Sequence, residues 1–213
     1  MKVFVPQLIN PNAPKIWKEN ADKIFSSLTF KNKERFILDK DFSEYGNISK
    51  YGKYAAARNE IIDKGLKEDH THVFWMDVDI IDYPTDIIEQ LYHIEQNNVI
   101  APYVLIENCA ENPWKFERFY DISCFMDKNG VTFDYKSPYH NYGGGKIELL
   151  SVGTCFLMPA DIYHKGLRYN IFYNSNEHIE FFVNCSNLGY KIYATDEIVI
   201  RHAFLPKYGE NFH

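Results

Sequence analysis

Apolar residues fall into short continuous runs, separated by stretches where they recur every three or four positions. Residues 3–5, 36–38 and 73–76 are runs of the length that suits buried strands. Between the first two, Trp17, Ala21, Ile24, Phe25 and Leu28 keep helical spacing, after Asn12 as a cap candidate and Pro14 as a first-turn proline. A second helix is predicted over 54–66. Pro84 opens a third, whose Ile87, Ile88, Leu91 and Ile94 share one face. Residues 99–104 form another strand, and Pro102 inside it predicts an irregular or edge position. Strands alternating with helices predict an α/β sheet.

The second half is more mixed. Runs at 122–126 and 131–133 flank Asp127-Lys128-Asn129-Gly130, and Asn-Gly is a hairpin signal. Residues 149–158 read as one long strand ended by Pro159. Residues 177–188 read as a helix stopped by Gly189, and 192–194 and 198–201 as two short strands. The expectation is one domain over 1–213, with a nucleotide-type half over about 1–105 and a mixed, loop-rich half over about 106–213, open to being part of a longer chain.

Composition narrows the function classes. The net charge of -6 disfavours nucleic-acid partners, which select a basic face. No run of about 18 apolar residues is present to span a membrane. The start has no signal-peptide pattern. Cys109, Cys124, Cys155 and Cys185 are too widely spaced for a disulfide framework or a zinc site, so a reducing, cytoplasmic setting is expected.

The strongest chemical signal is Phe74-Trp75-Met76-Asp77-Val78-Asp79, an apolar strand that delivers two carboxylates at its carboxyl end, where open α/β sheets bind ligands. Two carboxylates on one side of a strand repel each other unless a cation lies between them, and hard oxygen ligands suit Mg²⁺ or Mn²⁺. The competing reading is a solvated turn in which Asp79 or Asp82 serves the next helix.

Asp77-Val78-Asp79 after a hydrophobic strand resembles the DxD motif of GT-A glycosyltransferases. Ala57-Arg58-Asn59, the Trp75-to-Ile80 stretch and the helix after Pro84 resemble the yeast mannan polymerase family. Ser151 to Leu157, the helix that begins Glu177-His178-Ile179-Glu180, and His202 follow in matching order. As a whole the chain is similar to a glycosyltransferase domain of chlorella viruses, a resemblance that extends cytoplasmic to host cytoplasm. It implies a GT-A-type fold: a Rossmann-like nucleotide-binding half plus a mixed-sheet acceptor half. The implied reaction is metal-dependent transfer from a UDP-sugar donor, UDP-glucose or a UDP-deoxyhexose such as UDP-rhamnose, to a glycan acceptor.

The implied roles are specific. Asp79, Asp77 and His202 would hold Mn²⁺ or Mg²⁺, with Asp77 sharing the metal or holding the ribose. Pro6, Gln7 and Asp39 would meet the base or ribose, Arg58 the diphosphate or Asp77, and Gly153 the nucleotide sugar. The helix departs from the family pattern, which places an aspartate where this chain has His178. The general base is therefore left among Glu177, His178 and Glu180, or no base is needed; the missing aspartate favours retention of configuration. Trp114, Phe116, Phe119, Tyr120 and the tyrosines at 139–142 are candidates for a sugar-stacking wall, and Gly143-Gly144-Gly145 for a lid. Two other classes are a haloacid-dehalogenase-type phosphatase, which also places DxD after a strand, and a non-catalytic nucleotide-sugar or glycan-binding domain.

Overall fold

The computed structural model of the protein describes residues 1–111, 118–132, 145–172 and 175–208. The apolar runs become strands of one mixed sheet: β1 (Val3–Ile9), β2 (Lys33–Asp39), β3 (His72–Met76), β4 (Ile80–Asp82), β5 (Val99–Ile106), β6 (Lys146–Leu149), β7 (Cys155–Pro159) and β8 (Ile192–His202). Their order is β2-β1-β3-β7-β5-β8-β4, with β6 also on β8. β2, β1 and β3 are parallel, as are β5 and β8, whereas β7 runs antiparallel between β3 and β5. A strand from the second half of the chain thus separates two from the first.

Among the described residues five α-helices flank the sheet: α1 (Lys15–Ser27), α2 (Lys50–Gly65), α3 (Ile87–Ile94), α4 (Asp161–His164) and α5 (Glu177–Asn187). Alternation along β3 assigns its faces. Val73 and Trp75 pack with Ile61 and Ile62 of α2 and Phe181 and Phe182 of α5. Phe74 and Met76 pack with Ile24 of α1 and Ile87, Ile88 and Leu91 of α3. Burying each such side chain contributes about 1.5–3 kcal/mol. Gly65 lets α2 end close against the sheet, since a Cβ there would meet Phe4 at 2.5 Å and Phe36 at 2.8 Å.

Several boundaries differ from the pattern reading, each for a physical reason. β1 continues to Ile9, so Pro6 and Gln7 lie inside the strand and not at its carboxyl end. Pro6 fits there because β1 pairs with β3 only through Val3 and Phe4, so no donor is needed on that side. Pro14 occupies the N-cap of α1, and Asn12 donates its amide to Asp41 instead of capping. α2 begins earlier, where the Ser49 hydroxyl accepts the Gly52 N–H. Pro102 lies in a central strand, and the β5–β8 ladder shifts register beside it. The run 149–158 is broken between β6 and β7, and the two short strands predicted at the end are one eleven-residue strand. Asp127–Gly130 forms a turn closed by a single bridge, Met126 with Thr132; residue 133 lies outside the described residues. Trp114, Phe116, the 139–142 tyrosines, Gly143 and Gly144 also lie outside them.

Candidate active site

The carboxyl end of β3 meets the end of β8. β4 pairs antiparallel with β8, matching Ile80 with His202. The Asp79 carbonyl accepts the Ala203 N–H at 2.9 Å. From α1, the Asn20 amide donates to the carbonyls of Val78 and Ile80 at 2.6 and 2.7 Å. The Asp77–Ile80 turn is therefore held from two sides. His202, 123 positions downstream of Asp79, arrives beside it because two strands pair.

His202 is 1% exposed. Its Nδ1 lies 2.8 Å from the Ala203 carbonyl, which can only accept, so Nδ1 carries a proton. Nε2 then faces Asp79 Oδ2 at 3.0 Å. A neutral imidazole would present a lone pair to a carboxylate oxygen there, so the pair requires a shared cation, either a proton or a metal ion. Burial lowers the pKa of His202, but Asp79 and the Ala203 carbonyl outweigh it and the net shift is upward. Tyr120 stacks on the imidazole, ring centroids 3.6 Å apart and 12° from parallel, and sets its plane. Its Phe119 neighbour is core.

Asp77 points to the α2 side. Arg58 Nη2 lies 3.7 Å from its Oδ1, and Arg58 Nε 3.3 Å from Glu177 Oε1. The guanidinium also sits over the Trp75 ring at 4.8 Å. Desolvation raises the Asp77 pKa and Asp79 adds to the rise, while Arg58 opposes it. With 40% of the Asp77 side chain open to the cleft, water moderates that rise.

The other expected site residues are scattered. Gln7 donates its amide to the Ala21 carbonyl at 3.0 Å and fastens α1 to β1. Asp39 pairs with Lys18 at the exposed end of β2. Gly153 is a close-approach glycine, since a Cβ there would meet Cys124 Sγ at 2.6 Å. His178 is buried among Phe156, Tyr169 and Phe182. Glu180 accepts from Asn170 at the surface.

Two further residues lie near the site: Asp121, which carries no motif signal, and Thr154, which falls within the Ser151 to Leu157 stretch but to which the resemblance assigns no role. Asp121 is buried and accepts the Thr154 hydroxyl; burial pushes its carboxyl up to about 7, against that hydrogen bond, with Asp77 adding to the rise. Thr154 passes its backbone carbonyl to the Asp77 N–H. Only an isolated aspartate after an aromatic pair, Phe119-Tyr120, marks Asp121 in the sequence.

Among the described residues, no group of three or more His, Cys, Asp or Glu side chains is arranged to hold a metal. The chemistry of Asp79 and His202 nevertheless suits one: a carboxylate and an imidazole whose outer nitrogen is fixed by a carbonyl. A small hard cation keeps several waters and takes substrate phosphates alongside one or two protein carboxylates, so it needs no complete protein cage. No helix among the described residues is long and apolar enough to cross a membrane.

Residues 47–133 match the Anp1 family, the mannan-polymerase kind that the motif resemblance indicates; the match includes Arg58, Asp77, Asp79 and Asp121. No curated protein matches the chain. Among solved structures, it is similar to S. aureus TarS 1–349, with TM-score 0.55 and 11% identity over 95% of this chain and 60% of that one. The same TarS fragment in complex with UDP-GlcNAc gives TM-score 0.55 and 10% identity, over 95% of this chain and 58% of that one. GalNAc-T7 with UDP, GalNAc and Mn²⁺ gives TM-score 0.51 and 9% identity, over 96% of this chain and 44% of that one. The chain thus spans less than two thirds of each of these structures. At these identities the likeness establishes architecture, and the chain carries a mixed α/β fold of GT-A type.

Proposed function

We propose that the protein is a metal-dependent glycosyltransferase that moves a sugar from a UDP-sugar to a hydroxyl of a glycan acceptor. The observation that carries this reading is Asp79 Oδ2 facing His202 Nε2 at 3.0 Å, at the carboxyl end of β3 and beside Asp77. Mn²⁺ or Mg²⁺ held by Asp79 and His202, with Asp77 at its side, would neutralise the diphosphate as it leaves. Arg58, anchored by Glu177 and lying against Asp77, keeps a fixed positive charge next to the same place. The bound UDP-sugar of TarS and the UDP and Mn²⁺ of GalNAc-T7 support the donor and metal assignments by fold analogy.

Retention of configuration is the better fit. A general base must be free to reach the acceptor hydroxyl. His178 is enclosed by aromatic rings, Glu177 is engaged with Arg58, and Glu180 is engaged with Asn170. UDP-glucose and UDP-rhamnose are the first donors to test, following the chlorella-virus resemblance. The wide spacing of the four cysteines fits a reducing compartment. The phosphatase arrangement is disfavoured: the two aspartates follow the third strand in sequence, and an antiparallel neighbour flanks it.

Calorimetric titration of UDP into the protein, with Mn²⁺ and then with EDTA, tests the reading. Binding that needs Mn²⁺ and disappears in Asp79→Ala supports it, and a donor screen for transfer or slow hydrolysis follows. Absence of UDP binding under both conditions would remove the transferase reading. Binding indifferent to metal would leave a nucleotide site and remove the roles of Asp79 and His202.

A further inference from the structure

Between β6 and β7 the chain makes a turn that its residue types disfavour. Thr154 has a φ of 56°, in the left-handed region, where a β-branched residue is a steric outlier. The turn is only three residues, closed by the Cys155 N–H on the Gly153 carbonyl at 2.5 Å. Such a conformation persists only where its surroundings over-determine it.

Two contacts do this. The Thr154 hydroxyl donates to Asp121 Oδ1, and Asp121 is 2% exposed. The Thr154 carbonyl accepts the Asp77 N–H at 3.0 Å, one step beyond the last β3–β7 pair, Met76 with Cys155. The tight approach of Gly153 to Cys124 presses the Asp121–Cys124 turn against this one. Asp121 Oδ2 is buried without a hydrogen-bond partner among the described residues. A half-satisfied buried carboxylate is costly to stability, so its value lies in what it holds.

We propose that Asp121 is a positioning residue for the Asp77-Val78-Asp79 site, acting through Thr154. The carboxylate clamps the strained turn, and the turn's carbonyl fixes the Asp77 backbone and so the direction of the carboxylates that follow. The consequence for UDP binding rests on the transferase reading above, whereas the mechanical link does not.

The link is measured on the ligand-free protein by amide hydrogen exchange. Asp121→Ala and Thr154→Val are expected to speed exchange at Asp77 by about tenfold or more, leaving Phe74 and Trp75 unchanged. Asp121→Asn and Thr154→Ser keep the acceptor and the hydroxyl and should restore protection. Thr154→Gly adopts positive φ unaided, so Asp121→Ala should add little in that background. Unchanged Asp77 exchange in both Asp121→Ala and Thr154→Val overturns the proposal, as does a rise shared by every β3 amide. If Asp121→Ala does not fold, Thr154→Val and the double variant with Thr154→Gly carry the same test. In parallel, Asp121→Ala should weaken Mn²⁺-dependent UDP binding about 10–100-fold, with recovery in Asp121→Asn. If the unaltered protein binds no UDP, the function reading fails while the exchange result still decides the positioning role.

Discussion

His202 and His178 are almost equally buried, at 1% and 3% exposure, yet their surroundings give them opposite chemistry. His202 faces the Asp79 carboxylate, and its affinity for a proton rises despite burial. His178 lies among Phe156, Phe182 and Tyr169, and the carboxylate nearest it, Glu177 at 3.6 Å from Nε2, is already engaged by Arg58; burial, with Arg58 nearby, drives its pKa well below the ordinary histidine value and keeps it neutral. Its Nδ1 has no hydrogen-bond partner among the described residues. Burial alone therefore does not mark a functional histidine. A fixed tautomer and a carboxylate at hydrogen-bond distance do, because together they create a place for a cation, whereas the Glu177 carboxylate beside His178 already holds Arg58.

The contrast can be broken by substitution. The largest effect is expected at the cleft: His202→Ala should weaken Mn²⁺-dependent UDP binding by at least about 100-fold in calorimetry, taking the upper end of ligand-shell losses. His178→Leu should leave that binding unchanged and keep stability within about 1.5 kcal/mol, because it trades an unsatisfied polar ring for an apolar group of similar volume. A large loss of UDP binding in His178→Leu would reverse the assignment of the two histidines.

Next in size is the bridge between the two regions. Arg58→Met leaves Glu177 buried without its cation, and denaturant titration should show a loss of about 3 kcal/mol. Smaller still, Tyr120→Ala should remove about 1 kcal/mol of ring contact with His202, read as roughly fivefold weaker Mn²⁺-dependent UDP binding, whereas Tyr120→Leu should fall between it and the unaltered protein. The smallest effect lies outside both regions. Hydrogen bonds from Lys64 and Tyr45 lower the Glu60 pKa from 4.5 to about 2. A lowered carboxylate pKa contributes stability that is present above pH 4.5 and lost as the pH falls towards 2. Glu60→Gln should therefore lessen the acid sensitivity of the thermal midpoint in that window only.

Much of this was legible locally. Asp77 and Asp79 follow a run of apolar residues, and a strand end is where a parallel sheet exposes ligand-binding groups, so the pair is visible without tertiary information. The stop at Gly189 was equally legible, because its φ of 90° is a backbone need that glycine meets. The break between β6 and β7 was not. Its residues are apolar or small on both sides, and only the close approach of the Asp121 turn makes the chain bend at Thr154. Pro102 misled in the other direction: it weakens an isolated strand, but a register shift in β8 lets β5 remain central.

What the amino-acid sequence determined by itself is therefore the short-range part: alternating elements, their faces, and two carboxylates at a strand end, all set by periodicity within a few residues. The tertiary structure decided which distant groups meet those carboxylates. His202 reaches Asp79 because β4 pairs with β8, and Asp121 reaches Asp77 through Thr154 because β7 inserts beside β3. Strand pairing joins residues far apart in the chain, and no local spacing encodes the partner of a carboxylate once it is buried.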